Sequence, residues 1–232
     1  MTSKEKKTAV IREVITPMFK EAGYSTLGQT YYRMQGECCM LVNLQSSHFN
    51  SVETGFTFWF HINARPKEDT TKEWIKQWNA AASSDIHECL LLPDCGYLHP
   101  YHSALGYQID GYRNYQPQDM DVEDIKTRIG SDFRDYILPQ LDEIRTLPVW
   151  ETKRKEWMER IETPRVRLLR YLSSAQMLAD IPDCIPALQN SQHLIGVSSE
   201  EIRKNRELYL EIKALSSWPD DDKWAFILSS LE

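Results

Sequence analysis

The stretch Thr54-Gly-Phe-Thr-Phe-Trp-Phe-His-Ile-Asn63 decides how this chain is read. Successive side chains of a β-strand point to opposite faces, so these residues fall into two sets. Phe56, Phe58, Phe60 and Ile62 make one face continuously apolar, whereas Thr57, Trp59, His61 and Asn63 make the other aromatic and polar. The apolar set predicts a strand lying on a hydrophobic core, and the polar set marks the face to search for function. Ala64-Arg-Pro66 ends the strand, because proline lacks the N–H that a ladder needs.

Working outward, residues 29–34 and 38–45 read as an antiparallel pair turned at Gln35-Gly36. In the second of them Cys38, Met40, Val42 and Leu44 alternate with Cys39, Leu41, Asn43 and Gln45. Before this hairpin, Val10, Ile11, Val14, Ile15, Met18, Phe19 and Ala22 recur at helical spacing. Pro17 interrupts that helix and is expected to kink it or to restart it with Thr16 as a cap; Gly23 stops it. Downstream, Thr70 or Thr71 caps a short helix carrying Trp74, Ile75 and Trp78, and a further strand is expected at 105–113. Asp121 opens a long helix, 121–146, whose Ile125, Ile129, Phe133, Ile137, Leu141 and Ile144 face a core, with a bend at Pro139.

After Pro148 the pattern is purely helical and charged, with helices expected at 149–162, 164–179, 199–216 and 220–231. The expected fold is α+β: an antiparallel sheet of three to five strands packed by two main helices. Its boundaries are 1–150 for the α+β domain and 151–232 for a C-terminal all-helical extension.

Four phrases in their order carry a resemblance to a known family. Pro17-Met-Phe-Lys-Glu-Ala-Gly-Tyr24 closes the first helix, Tyr31-Tyr-Arg33 opens the hairpin, Val42-Asn-Leu-Gln-Ser46 follows, and then comes the Phe56 to Asn63 strand. Over about residues 8–150 this arrangement resembles a bacterial family known as domain-of-unknown-function family 4304. The family's later segment pairs an arginine-glycine phrase with Asp-x-Trp-Trp, where this chain has Leu105-Gly106 and Asp110-Gly-Tyr112. The resemblance implies the fold and brings no established activity with it.

Composition narrows the function classes. Of 232 residues, 41% are hydrophobic and 11% aromatic, which suits a globular protein. With 27 lysines and arginines against 34 aspartates and glutamates, the net charge of -7 disfavours nucleic acid and anionic membrane surfaces. No apolar run is long enough for a membrane span, and Met1-Thr-Ser-Lys-Glu-Lys-Lys7 leads into no secretory h-region. Five cysteines, two of them adjacent at Cys38 and Cys39, suit reduced thiols and a cytoplasmic location.

Two constellations carry candidate chemistry. On the polar strand face, pairing in register brings Asn43 and Gln45 near Trp59, His61 and Asn63, with Arg33 a neighbour across the hairpin. Amides, an indole, a guanidinium and an imidazole make a ligand platform, and His61 is its acid–base candidate. Mutual hydrogen bonding within a covered face is the simpler use of the same residues. The second constellation is His87, Cys89, Cys95, His99 and His102, ligand types that suit zinc. Their spacing matches no standard finger, so buried cysteines and loop histidines are the leading account and no cofactor is expected.

Nucleophile elbows, phosphate loops and dinucleotide fingerprints are absent from the sequence. Trp150, Trp157, Trp218 and Trp224 in the charged helical region read first as pins of small helical cores and second as interface anchors. The leading expectation is a non-enzymatic protein-binding factor of the immunity or accessory kind. The alternative is an enzyme or small-ligand binder using the face around His61. The sequence sets neither the partner nor the oligomeric state.

Overall fold

A computed structural model gives the fold. It describes residues 1–48, 50, 55–96, 102–103, 106–110, 112–113, 116–117, 119–163 and 166, together with residues 200, 203 and 207. The chain divides into two compact units, Met1–Ile161 and Glu162–Glu232. The helices expected at 164–179, 199–216 and 220–231, with Trp218 and Trp224, lie largely or wholly outside the described residues.

The first unit is an α+β fold on one antiparallel sheet. Its strands are β1 (Ser25–Leu27), β2 (Thr30–Gln35), β3 (Cys38–Ser46), β4 (Phe56–Pro66), β5 (Ile86–His87), β6 (His102–Ser103) and β7 (Gly106–Ile109). They run in the order β1-β2-β3-β4-β7-β6, and β5 also pairs with β4. Among the described residues, five of these strands have three or more residues, and β5 and β6 have two each. Tyr112–Arg113 and Gln116–Pro117 pair separately as a small hairpin, so the strand expected at 105–113 breaks after Ile109.

Register follows the pattern of the opening stretch. Met40, Val42 and Leu44 stand opposite Ala64, Ile62 and Phe60, which puts them on one face. Phe58 faces Tyr107 on β7, extending that face. Helices α1 (Ser3–Val10), α2 (Thr16–Glu21), α5 (Val122–Asp132) and α6 (Leu138–Asp142) cover it. Between them lies an aromatic core: Phe19 stacks on Tyr31 at 4.2 Å, and Phe133 meets Phe60 edge-on at 5.2 Å.

Neither proline breaks its helix. Ile11–Ile15 and Phe133–Ile137 are π-helical turns that end two residues before Pro17 and Pro139. Proline cannot donate to the carbonyl four residues back, and its ring crowds that carbonyl. Instead, Thr16 N–H donates to the Ile11 carbonyl and Leu138 N–H to that of Phe133, each five residues back. The wider turn also keeps the apolar stripe on the sheet. In an ideal α-helix each four-residue step overshoots the starting face by about 40°, so Ile125, Ile129, Phe133, Ile137 and Leu141 would otherwise wander off it. Thr16 is therefore no cap: its hydroxyl lies 2.8 Å from the Tyr31 hydroxyl.

Asp121 caps α5, accepting from the N–H groups of Glu123 and Asp124. Thr71 caps α3 (Lys72–Gln77), which lays Ile75 on Cys39 and Leu41 of the second sheet face. A four-residue helix, α4 (Ala80–Ser83), follows. Helix α7 (Leu147–Ile161), which straddles the expected boundary at 150, belongs to the first compact unit. Its Trp150 and Trp157 are buried against one another, and Arg160 donates to the Leu90 and Leu92 carbonyls at 2.7 and 2.8 Å. Among the described residues no helix is long and apolar enough to cross a membrane.

The β2–β3 turn locks the sheet to the end of α6. Gln35 donates its amide to the carbonyls of Leu141, Asp142 and Ile144, and Glu37 N–H donates to that of Arg145. Gly36 sits at φ +57 with the Arg145 carbonyl where a Cβ would go, 2.3 Å away. Gly28 has a similar φ of +61 but open space around it. Gly36→Ala is therefore expected to destabilise by on the order of 3 kcal/mol and Gly28→Ala by only about 1 kcal/mol. Equilibrium urea unfolding of the two variants checks this; equal losses would contradict the close approach at Gly36.

Candidate functional site

The second sheet face gathers most of the polar residues expected there. Asn43 stands directly opposite His61, Gln45 opposite Trp59 and Leu41 opposite Asn63. The arrangement is inward-looking. Asn43 donates to the Thr30 hydroxyl at 2.8 Å, and Asn63 donates to the Ser83 carbonyl at 3.1 Å. His61 is only 4% exposed, while Trp59 is half-buried.

His61 Nε2 has two neighbours that it cannot serve at once. The Trp59 indole N–H points at it from 3.0 Å, and the Gln45 amide oxygen lies 3.2 Å away. An indole only donates, so that bond needs a bare Nε2 and a proton on Nδ1; the amide oxygen needs an Nε2–H. Both are neutral tautomers of one ring. Burial pushes the imidazole down to about 4, the neighbouring His87 adds to the push, and the Ser84 backbone offsets part of it. A ring held neutral in this way is a hydrogen-bonding and ligand group more than an acid.

Arg33 does not join the set. It pairs with Met40 in the β2–β3 ladder and so lies on the helix-covered face. There it stacks over Tyr24 at 4.7 Å and donates to the Ala22 carbonyl and, at 2.7 Å, to Asp142. Tyr32 and Met34, one step either way, take the second face instead, because a one-residue shift inverts a strand side chain.

The His/Cys constellation is likewise divided by the sheet. His87 faces His61 across the β4–β5 pair, with ring centroids 4.4 Å apart. His102 faces Tyr107, which is opposite Phe58, and so belongs to the helix side. His99 lies outside the described residues. Cys38, Cys39, Cys89 and Cys95 are free thiols; burial raises those of Cys38, Cys39 and Cys89, Cys39 to about 11. Among the described residues no three His, Cys, Asp or Glu side chains come together as a metal site.

A buried network at the rim of β4 was missed from sequence. Glu88, fully buried, accepts the Phe60 N–H at 2.7 Å and the His102 Nε2–H at 3.2 Å. Beside it, the Tyr107 hydroxyl donates to Asp132 at 3.1 Å, and burial with two nearby carboxylates raises that phenol well above its usual range. Glu88 reads as one more charge in a polar stretch; only the gap it fills in the sheet gives it meaning. A surface groove of about 780 Å³ runs along α1 and the start of α5, where Arg12, Glu13, Glu123 and Lys126 line it with mixed charge.

Two outcomes follow from this geometry. Glu88→Ala leaves the Phe60 N–H and His102 without an acceptor, and is expected to cost on the order of 3 kcal/mol in urea unfolding. A loss below about 1 kcal/mol would mean that water replaces the carboxylate. For His61, the unfolded ring takes up a proton below its ordinary value of 6.5, while the folded ring stays neutral down to about 4. Its contribution is thus complete above that window and is lost as pH falls through it, by on the order of 3 kcal/mol. Unfolding midpoints of wild type and His61→Gln between those pH values check this: the variant should lack that part of the slope.

The family described as Domain of unknown function (DUF4304) matches residues 15–143, from the end of the first π turn to the residue that follows α6. Among curated proteins and among solved structures, nothing matches the chain. The matched segment holds the whole described sheet and spans more than half of the 232 residues, so the chain belongs to the DUF4304 family.

Proposed function

We propose that the protein is a non-enzymatic, protein-binding factor of the accessory or immunity kind, working in the cytoplasm. One observation carries this reading. At the β1 edge of the sheet, Leu27, Tyr32, Trp74 and Trp78 are half-buried around the small Cys39–Leu41–Ile75 core, and Met34 beside them is 41% exposed. Trp74 and Trp78 stack at 6.1 Å, and the Arg65 guanidinium lies over Trp74 at 4.1 Å. Tryptophan, tyrosine, methionine and arginine are the residues enriched in the cores of protein interfaces. The patch adjoins β1, which ends the strand order and leaves its outer edge open among the described residues.

The competing reading, an enzyme or small-ligand binder around His61, draws its support from the half-buried Trp59 and the bare imidazole nitrogen. Against it stand the burial of His61 and the separation of Arg33 onto the other face. The cytoplasmic assignment rests on the cysteine pattern, with Cys38, Cys39, Cys89 and Cys95 outside any disulfide.

Affinity capture from native lysate with the tagged full chain tests the proposal. A defined protein partner should be retained by wild type and by His61→Gln. Trp78→Ala should weaken it by about 2 kcal/mol, roughly thirtyfold. Met34→Lys, at an exposed position where folding is indifferent to the change, should weaken it too. A partner held equally by wild type and both patch variants would rule the patch out.

A further inference from the structure

We propose that His61 and His87 together chelate a divalent transition-metal ion of the imidazole-preferring class, such as nickel or zinc. The argument begins with the backbone. Phe60 N–H points away from β3, since Glu88 accepts it. Along a strand the backbone groups alternate in direction, so those of His61 turn toward β3 and those of Ile62 toward β5. In the β4–β5 ladder, Ile62 and Ile86 are therefore the hydrogen-bonded pair, and His61 and His87 the non-hydrogen-bonded one. Side chains approach each other most closely at such a pair, with α-carbons about 4.5 Å apart. The two rings lie 4.4 Å apart between centroids and are tilted by 56°. Two imidazoles presented from one cross-strand position can share an ion without moving either strand.

The electronic state also fits. A metal ligand must be a neutral imidazole with a free lone pair. His61 Nδ1 is buried and makes no hydrogen bond of normal geometry, the Ser84 backbone acting on the ring only weakly. When Nε2 carries the proton and donates to the Gln45 amide oxygen, Nδ1 becomes that lone pair, and Gln45 holds the ring in the required tautomer. The Trp59 indole then releases Nε2; being half-buried, it can turn its N–H to water. His87 is only partly buried and gives an ion a way in.

The carboxylate near His87, Asp85, is engaged with the Arg154 guanidinium through both of its oxygens. Two nitrogens and water are then the coordination shell. A shell of that kind favours nickel, copper and zinc over magnesium and calcium, which require oxygen ligands.

Isothermal titration of the reduced, metal-stripped full chain with nickel chloride, and separately with zinc chloride, tests this. Wild type should take up an ion that His87→Ala binds at least about tenfold more weakly, since it loses one of two protein ligands. Gln45→Leu, which keeps both imidazoles but frees the tautomer, should bind about tenfold more weakly as well. Magnesium chloride should give no uptake. His87→Ala alters a partly exposed side chain and keeps the test independent of whether His61 variants fold. Equal uptake by wild type and His87→Ala, or no uptake of either ion, overturns the proposal.

Discussion

Every backbone group of a central strand must find a partner, and on the outer side of β4 the sheet does not supply them all. β3 pairs with β4 from Phe58 to Pro66 on one side. On the other side, β7 pairs only from Phe56 to Phe58 and β5 only at His61 and Ile62. The Phe60 N–H falls in the gap, and the Glu88 carboxylate closes it. An unpaired buried N–H costs free energy comparable to a lost hydrogen bond, so a carboxyl group is held there as its acceptor despite the cost of burying it. The same carboxylate is also hydrogen-bonded to His102 from β6. One vacancy in a ladder thus brings β4, the turn after β5 and β6 together, and it fixes the alternation that sets His61 against His87.

The sequence made the alternation legible and left its consequences hidden. Phe58, Phe60 and Ile62 are read correctly as core because strand periodicity needs no tertiary knowledge. Asn43, Gln45, Trp59, His61 and Asn63 share a face for the same reason. Arg33 was misplaced because parity across a hairpin depends on the turn, and a one-residue error moves a side chain through the sheet. The histidine and cysteine run from 87 to 102 looked like one cluster because sequence distance ignores the sheet between His87 and His102. Glu88 was illegible because its role is defined by what β5 and β7 fail to pair, which no local pattern records.

The helices teach a related lesson. A proline in an amphipathic helix reads as a kink or a restart, and the cheapest repair is instead one wide turn just ahead of it. That turn inserts a residue, so Val10 and Ile15 are both fully buried at a spacing of five. Strict four-residue steps from Ile125 to Leu141 carried the same information, since an unbroken α-helix drifts away from such a stripe. Where the two π-containing helices meet, Gly130 brings α5 close to Val14, and Lys126 binds Glu13 at 2.7 Å. Together these two helices form one lid over the aromatic core.

The phrases that mark the family are spent on this scaffold. Gly23 and Tyr24 close the first helix by donating to the Lys20 and Phe19 carbonyls, and Tyr24 packs edge-on against Phe19. Arg33 ties that closure to α6. Asn43 and Gln45 serve the second face internally, and Ser46 accepts from Lys7. Because most of these signature residues are engaged in holding the scaffold, family membership fixes a fold and leaves activity open. Specificity must then come from side chains that the scaffold does not consume. On the second face these are the stacked tryptophans beside Met34 at one end, and the half-buried Trp59 and His87 at the other. The two ends differ in kind: the first offers apolar area to a surface, the second offers lone pairs to a small ion. A single sheet face can support both, because the ladder holds each rigid without either drawing on the other's residues.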